Sequence, residues 1–152
     1  AQAMARIGYQ PHRLPTFTLG DATIMSALAG EAWEGVISSA YFPLPDQDPV
    51  VAAALERVAA REPSLRAMAY NALAGITFME PLVEAFRRAG RNLTPESFVA
   101  AMESIKEWDG EVIRQVTFGP DRHQGINRIF LTQIQGGRAV PISDWIEYPV
   151  GF

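Results

Sequence analysis

The 152-residue chain has no cysteine, so disulfides, thiolate catalysis and cysteine-based zinc sites are excluded. It has no basic excess either: 13 Lys and Arg stand against 17 Asp and Glu, a formal net charge of −4. A nucleic-acid partner requires a basic face, and this balance argues against one. No apolar run approaches the length that spans a bilayer, and no signal peptide is visible. Cofactor and catalytic motifs are missing: there is no H-E-x-x-H, P-loop, G-x-G-x-x-G or G-x-S-x-G elbow. His12 and His123 both fall in polar loops and read as solvated side chains. Ser38, His123 and Asp21 make a nucleophile, base and acid on paper only, since their sequence contexts do not support the set. Glu80 with Glu84, and Glu103 with Glu107, are spaced as helix faces in solvent rather than as metal ligands. The expectation is a protein that is not an enzyme, with no cofactor and no metal.

What is present is ordinary globular material, 48% hydrophobic and 20% charged. A chain of this size suffices for one domain with a substantial core. Its first residues, AQAMARIG, read as a helix tail closed by Gly8, which predicts a processed or truncated piece of something longer.

Residues 63–90 dominate the pattern. Leu65, Met68, Ala72, Ile76, Met79, Val83 and Phe86 recur every three or four residues, so one long helix buried along that stripe is expected. Pro81 lies inside it and predicts a kink over 77–81. Before it, residues 16–19 are β-prone, Asp21 can cap a helix from about Ala22, and 35–42 reads as a buried strand. Asp48-Pro49 and Thr94-Pro95 each look like a cap followed by a first-turn proline. After the helices, 112–118 alternates like a strand, and Gly136-Gly137 joins strands over 128–135 and 138–142 in a hairpin. The order is strand, helix, strand, three helices, three strands: α/β with an antiparallel finish. Three amphipathic helices in a row have too little sheet to pack on.

Several stretches carry a family resemblance in order. They are AGEAWEGV at 29–36, the proline-rich connector ending at Asp48-Pro49, AYNA at 69–72, VEAFRRAGRNLT at 83–94, and the His123-x-Gly125 loop followed by a strand and G-x-x-V-P-I. Together they resemble the type I periplasmic solute-binding proteins of ABC importers, the branched-chain amino acid binders above all, over essentially the whole chain. The resemblance implies the C-terminal part of a two-lobe α/β fold, with helices on parallel sheets and a C-terminal hairpin. It places 1–40 in the C-terminal lobe, 41–111 among the N-terminal-lobe helices, and 112–152 in a crossover strand and the C-terminal-lobe hairpin. It implies the periplasm, or an extracellular membrane-anchored position, and capture of a small organic solute for the importer's membrane subunits. A cytoplasmic ligand-sensing regulator of the same fold is the alternative. Ligand contacts carried over from the family fall on Leu19, Gly20, Asp21, Leu65 and Met68, with Asp21 opposite a ligand ammonium where there is one. The uncovered helix faces are expected to meet the missing upstream segment or a second copy.

Overall fold

The computed structural model describes residues 1–150. The chain opens with α1 (Gln2–Arg6), a 3-10 turn (Phe17–Gly20) and α2 (Ala22–Ala29), then β1 (Ile37–Ala40). Next come α3 (Pro49–Ala59), a 3-10 turn (Pro63–Met68), α4 (Ala69–Ala89) and α5 (Pro95–Glu103). It closes with β2 (Arg128–Gln135), β3 (Arg138–Pro141) and β4 (Ile146–Glu147). The tail strand β4 is not foreseen in the sequence. A helix of α2, α3 or α5 begins where a side chain can satisfy its orphan N–H groups. Asp48 Oδ1 accepts from Val50 at 2.8 Å and Val51 at 3.3 Å, with Pro49 in the first turn. Thr94 and Ser97 form a reciprocal capping box at α5.

β2 is the hub of the sheet. It pairs antiparallel with β1, Ser38 facing Thr132, and antiparallel with β3 through the Gly136-Gly137 turn. Both glycines have positive φ, 58° and 74°, which is the backbone a tight two-residue hairpin demands. All strand pairs among the described residues are antiparallel, and the parallel pairing implied by the resemblance does not occur among them.

Three expectations are overturned. Residues 16–19 are not a strand. No neighbouring strand takes their ladder bonds, and the Leu19 N–H instead closes a 3-10 turn on the Thr16 carbonyl at 3.0 Å. Residues 112–118 are not a regular strand either. Their donors go elsewhere: Val112 and Ile113 to Glu80, Gln115 to the Asp109 side chain, and Thr117 to the Gly125 carbonyl. Only a single bridge, Trp108 to Val116, survives there, and Gln115 has φ +56°. The third is the long helix. It starts at Ala69, because the chain breaks stride at Met68 (φ −124°, ψ 38°) after the 3-10 turn. It then runs through Pro81 to Ala89.

The face of α4 that packs inward is also not the one expected. Tyr70, Leu73, Ala74, Thr77, Pro81 and Ala85 are buried, whereas Met79, Val83 and Phe86 are 55%, 42% and 50% exposed. One cluster joins α4 to β1, α3 and β2 through Ala40, Val51, Leu73 and Phe130, with Phe42 just past β1 among them. A second sets Ala85, Ala101 and Ile105 against Ile113 and Val116. Fully burying a side chain such as Phe42 or Leu73 is worth roughly 1.5–3 kcal/mol, so these clusters fix α4 against the sheet. A third, smaller cluster gathers Trp33, Val36 and Ile134.

Glu80 departs from its expectation as well. Its carboxylate is no solvated face. Oε1 accepts the N–H of Glu111 at 2.8 Å and of Val112 at 3.0 Å, and Oε2 accepts that of Ile113 at 2.9 Å. Glu84 is half-buried and pairs with Arg88 at 2.8 Å. No group of acidic or histidine side chains arranged to hold a metal occurs among the described residues.

Candidate functional site

The site is built around one carboxylate. The 3-10 turn delivers Gly20 and Asp21 to the start of α2, and both are buried, Asp21 to 2% exposure. Asp21 Oδ1 accepts the N–H of Thr23 at 3.1 Å and of Ile24 at 3.2 Å, which is the cap expected from sequence. Oδ2 reaches a second helix, accepting the N–H of Tyr70 at 3.1 Å. Gly20 fits because it lacks a side chain: a Cβ there would fall 2.8 Å from Ser38 Oγ. The close approach that Gly20 permits is therefore to β1.

Tyr70 completes the wall. Its ring lies 4.8 Å from that of Phe42, and its hydroxyl donates to the Ser39 carbonyl at 3.1 Å. Burial pushes its phenol well above the ordinary value, and the nearby Tyr41 and Asp21 push the same way. Tyr41 is raised too, by burial, with Thr77 opposing. Beside these groups opens a cavity of about 340 Å³. Gly20, Asp21 and Thr23 line it from one side, Leu55, Glu56 and Tyr70 from another, and Asp46 and Arg138 stand at its rim. Glu56 is already ion-paired with Arg66. The lining thus mixes apolar surface with a few polar groups, as small-molecule sites do.

The five expected contact residues divide. Gly20 and Asp21 line this cavity; Leu19, Leu65 and Met68 do not. Leu19 and Met68 are 41% and 43% exposed, and Leu65 is half-buried in the second 3-10 turn. Thr23, Leu55, Glu56 and Arg138 were not picked out from sequence. Arg138 follows the hairpin glycines directly, but nothing local signals that the hairpin returns beside α2. Of the paper triad, Ser38 Oγ is buried without a hydrogen-bond partner, Asp21 is engaged by backbone, and His123 lies exposed in its loop.

The frame is mixed α/β, with a part-apolar cavity between helix starts and a hairpin. A family model described as periplasmic binding protein matches residues 1–139, and the chain belongs to that family. Solved structures share the fold. A branched-chain amino acid ABC transporter protein from Thermus thermophilus, with bound valine, is 20% identical with a TM-score of 0.76, covering 97% of this chain and 42% of its own. A possible leucine/isoleucine/valine-binding protein from Rhodopirellula baltica is 19% identical, TM-score 0.73, over 93% of this chain and 38% of its own. A leucine-binding protein from Thermotoga maritima is 19% identical, TM-score 0.66, over 96% and 40%. The chain thus spans less than half the length of the structures it matches. No curated protein matches it.

Proposed function

We propose that this chain is the C-terminal part of the substrate-binding component of an ABC importer, which captures a small organic solute in a cleft between two lobes. The family match over residues 1–139 carries the reading. In it, 1–40 and 112–152 serve one lobe and 41–111 supplies helices to the other. The solute meets the 19–21 turn on one side and, beyond the lining of the cavity described above, Leu65 and Met68 on the other. In support, the Asp21–Tyr70 bond brings that turn beside the start of α4. The protein works in the periplasm, or outside the cell on a membrane anchor, and hands its solute to the importer's membrane subunits.

The test is thermal denaturation of the complete protein against amino acids, aromatic acids and amides. A true ligand at a hundred times its Kd stabilises the fold by about 2.7 kcal/mol. A complete protein stabilised by none of these solutes would sink the reading. A leader peptide ahead of this stretch fits import; a complete protein without one fits the cytoplasmic ligand-sensing regulator instead.

A further inference from the structure

Helix α4 begins without a cap of its own. Its N-cap residue, Met68, makes no side-chain capping bond. Tyr70 is the second residue of the helix, so its N–H is one of the donors that a helix start leaves unpaired. The partner comes from 49 positions away, Asp21 Oδ2. The other oxygen of the same side chain caps α2. We propose that the Asp21 carboxylate is a shared cap that ties α2 to α4, and that the solute bound at this turn presents no ammonium to it. This inference rests on the solute-binding reading above.

The first argument is occupancy. Three backbone N–H groups already converge on the two oxygens, and the residue is 2% exposed. At that exposure the carboxylate offers an ammonium almost no surface, and opening the contact to admit one would strain bonds whose buried N–H groups are costly to leave unpaired. The second is charge. Each helix start presents about half a positive charge, so two of them roughly balance one carboxylate. Little surplus negative potential remains at the turn to draw a cation. The rest of the cavity does not restore it. Glu56 is paired with Arg66, and the lining's other exposed charges, Asp46 and Arg138, are one of each sign. A carboxylic acid or amide with an apolar body suits the apolar wall of Leu55 and Leu73.

The experiment uses the complete protein and matched pairs of solutes: leucine with 4-methylpentanoate, and phenylalanine with 3-phenylpropanoate. Calorimetry is expected to find the deaminated acid of the better pair bound at least as tightly as its amino acid. An amino acid bound tenfold more tightly, with the preference lost in Asp21→Asn, overturns the inference and leaves solute binding intact. If no member of either pair binds, the preference for a deaminated acid is overturned while the wider solute panel still decides the solute-binding reading, and amide exchange decides the cap by itself. In Asp21→Ala, the Tyr70 amide should exchange roughly tenfold faster or more, together with Thr23 and Ile24, while α5 amides keep their rates. Asp21→Asn, with one oxygen left, serves where the alanine variant does not fold: it can cap one helix start only, so either Tyr70 or the α2 pair should lose protection. Tyr70 and α2 amides all as protected as in the wild type would overturn the shared cap.

Discussion

Glu80 offers the sharpest test of how this chain is held together. Its side chain reaches from the middle of α4 to a loop thirty residues away and receives three consecutive backbone donors, Glu111, Val112 and Ile113. Val112 and Ile113 are 0% and 4% exposed, so water cannot replace the carboxylate at those positions. Glu80→Ala leaves two buried N–H groups unpaired, at about 1–3 kcal/mol each, with a smaller loss at the half-buried Glu111. The sum is on the order of 2–6 kcal/mol, a large share of the roughly 5–15 kcal/mol that holds a typical domain together. At about 2–4 °C per kcal/mol for a chain of this size, Tm should fall by something on the order of 5–20 °C. Glu80→Gln should lose less, since one oxygen still accepts while the amide nitrogen faces a donor. The control is Glu84→Ala on the same helix, whose pairing with Arg88 is worth under about 1 kcal/mol. Thermal melts followed by circular dichroism decide the matter. Equal Tm values for wild type and Glu80→Ala, or equal losses for the Glu80 and Glu84 variants, would refute the reasoning.

Three further outcomes are expected. Gly20→Ala drives a Cβ to 2.8 Å from Ser38 Oγ and should cost about 1–3 kcal/mol; Ser38→Ala alone should be near neutral, since that hydroxyl has no partner, and in the double variant should return much of the loss, as a denaturant double-mutant cycle would show. Tyr70 has its pKa raised above 10.0 by folding, so its contribution is full below about pH 10 and declines as pH rises beyond it; melts from pH 8 to 11 should show a shallower alkaline decline for Tyr70→Phe, with Tyr41 supplying the remainder. The chain of 152 residues by itself should elute above its 16.7 kDa monomer mass in light-scattering chromatography, because Phe78, Met79, Val83 and Phe86 are about half exposed; a monodisperse monomer would count against that.

Local chemistry was legible in the sequence, and partnership across the chain was not. Asp21, Asp48 and Thr94 were each read as caps, and each caps, because a cap and its donors lie within three residues. The Gly136-Gly137 hairpin was legible for the same reason. Residues 112–118 misled because alternation predicts which side chains are buried but not where the N–H groups go. The acceptor that claims them, Glu80, is more than thirty residues distant and looked like any other solvated helix glutamate. The second duty of Asp21 was hidden in the same way: nothing near position 21 announces that Tyr70 lacks an acceptor.

The α4 helix shows why periodicity alone mistook the inward face. A helix apolar on one stripe can be oriented from sequence, but this one carries two. Large residues, Ile76, Met79, Val83 and Phe86, form the stripe that the eye finds first. The stripe that packs is made of smaller or semi-polar residues, Ala74, Thr77, Pro81 and Ala85, together with Leu73 and Tyr70. Small residues such as Ala85 let the helix pack onto the 105–116 segment, and Pro81, whose missing N–H needs no acceptor, is buried on the same side. A helix that is apolar on both sides is one built to be covered on both sides. Here one side meets the chain's own sheet and loops, and the other lines an open groove of about 530 Å³ with Ala72, Ile76, Met79 and Val83 on its wall. The sequence pattern had therefore marked the face that the contacts these residues make with one another leave uncovered.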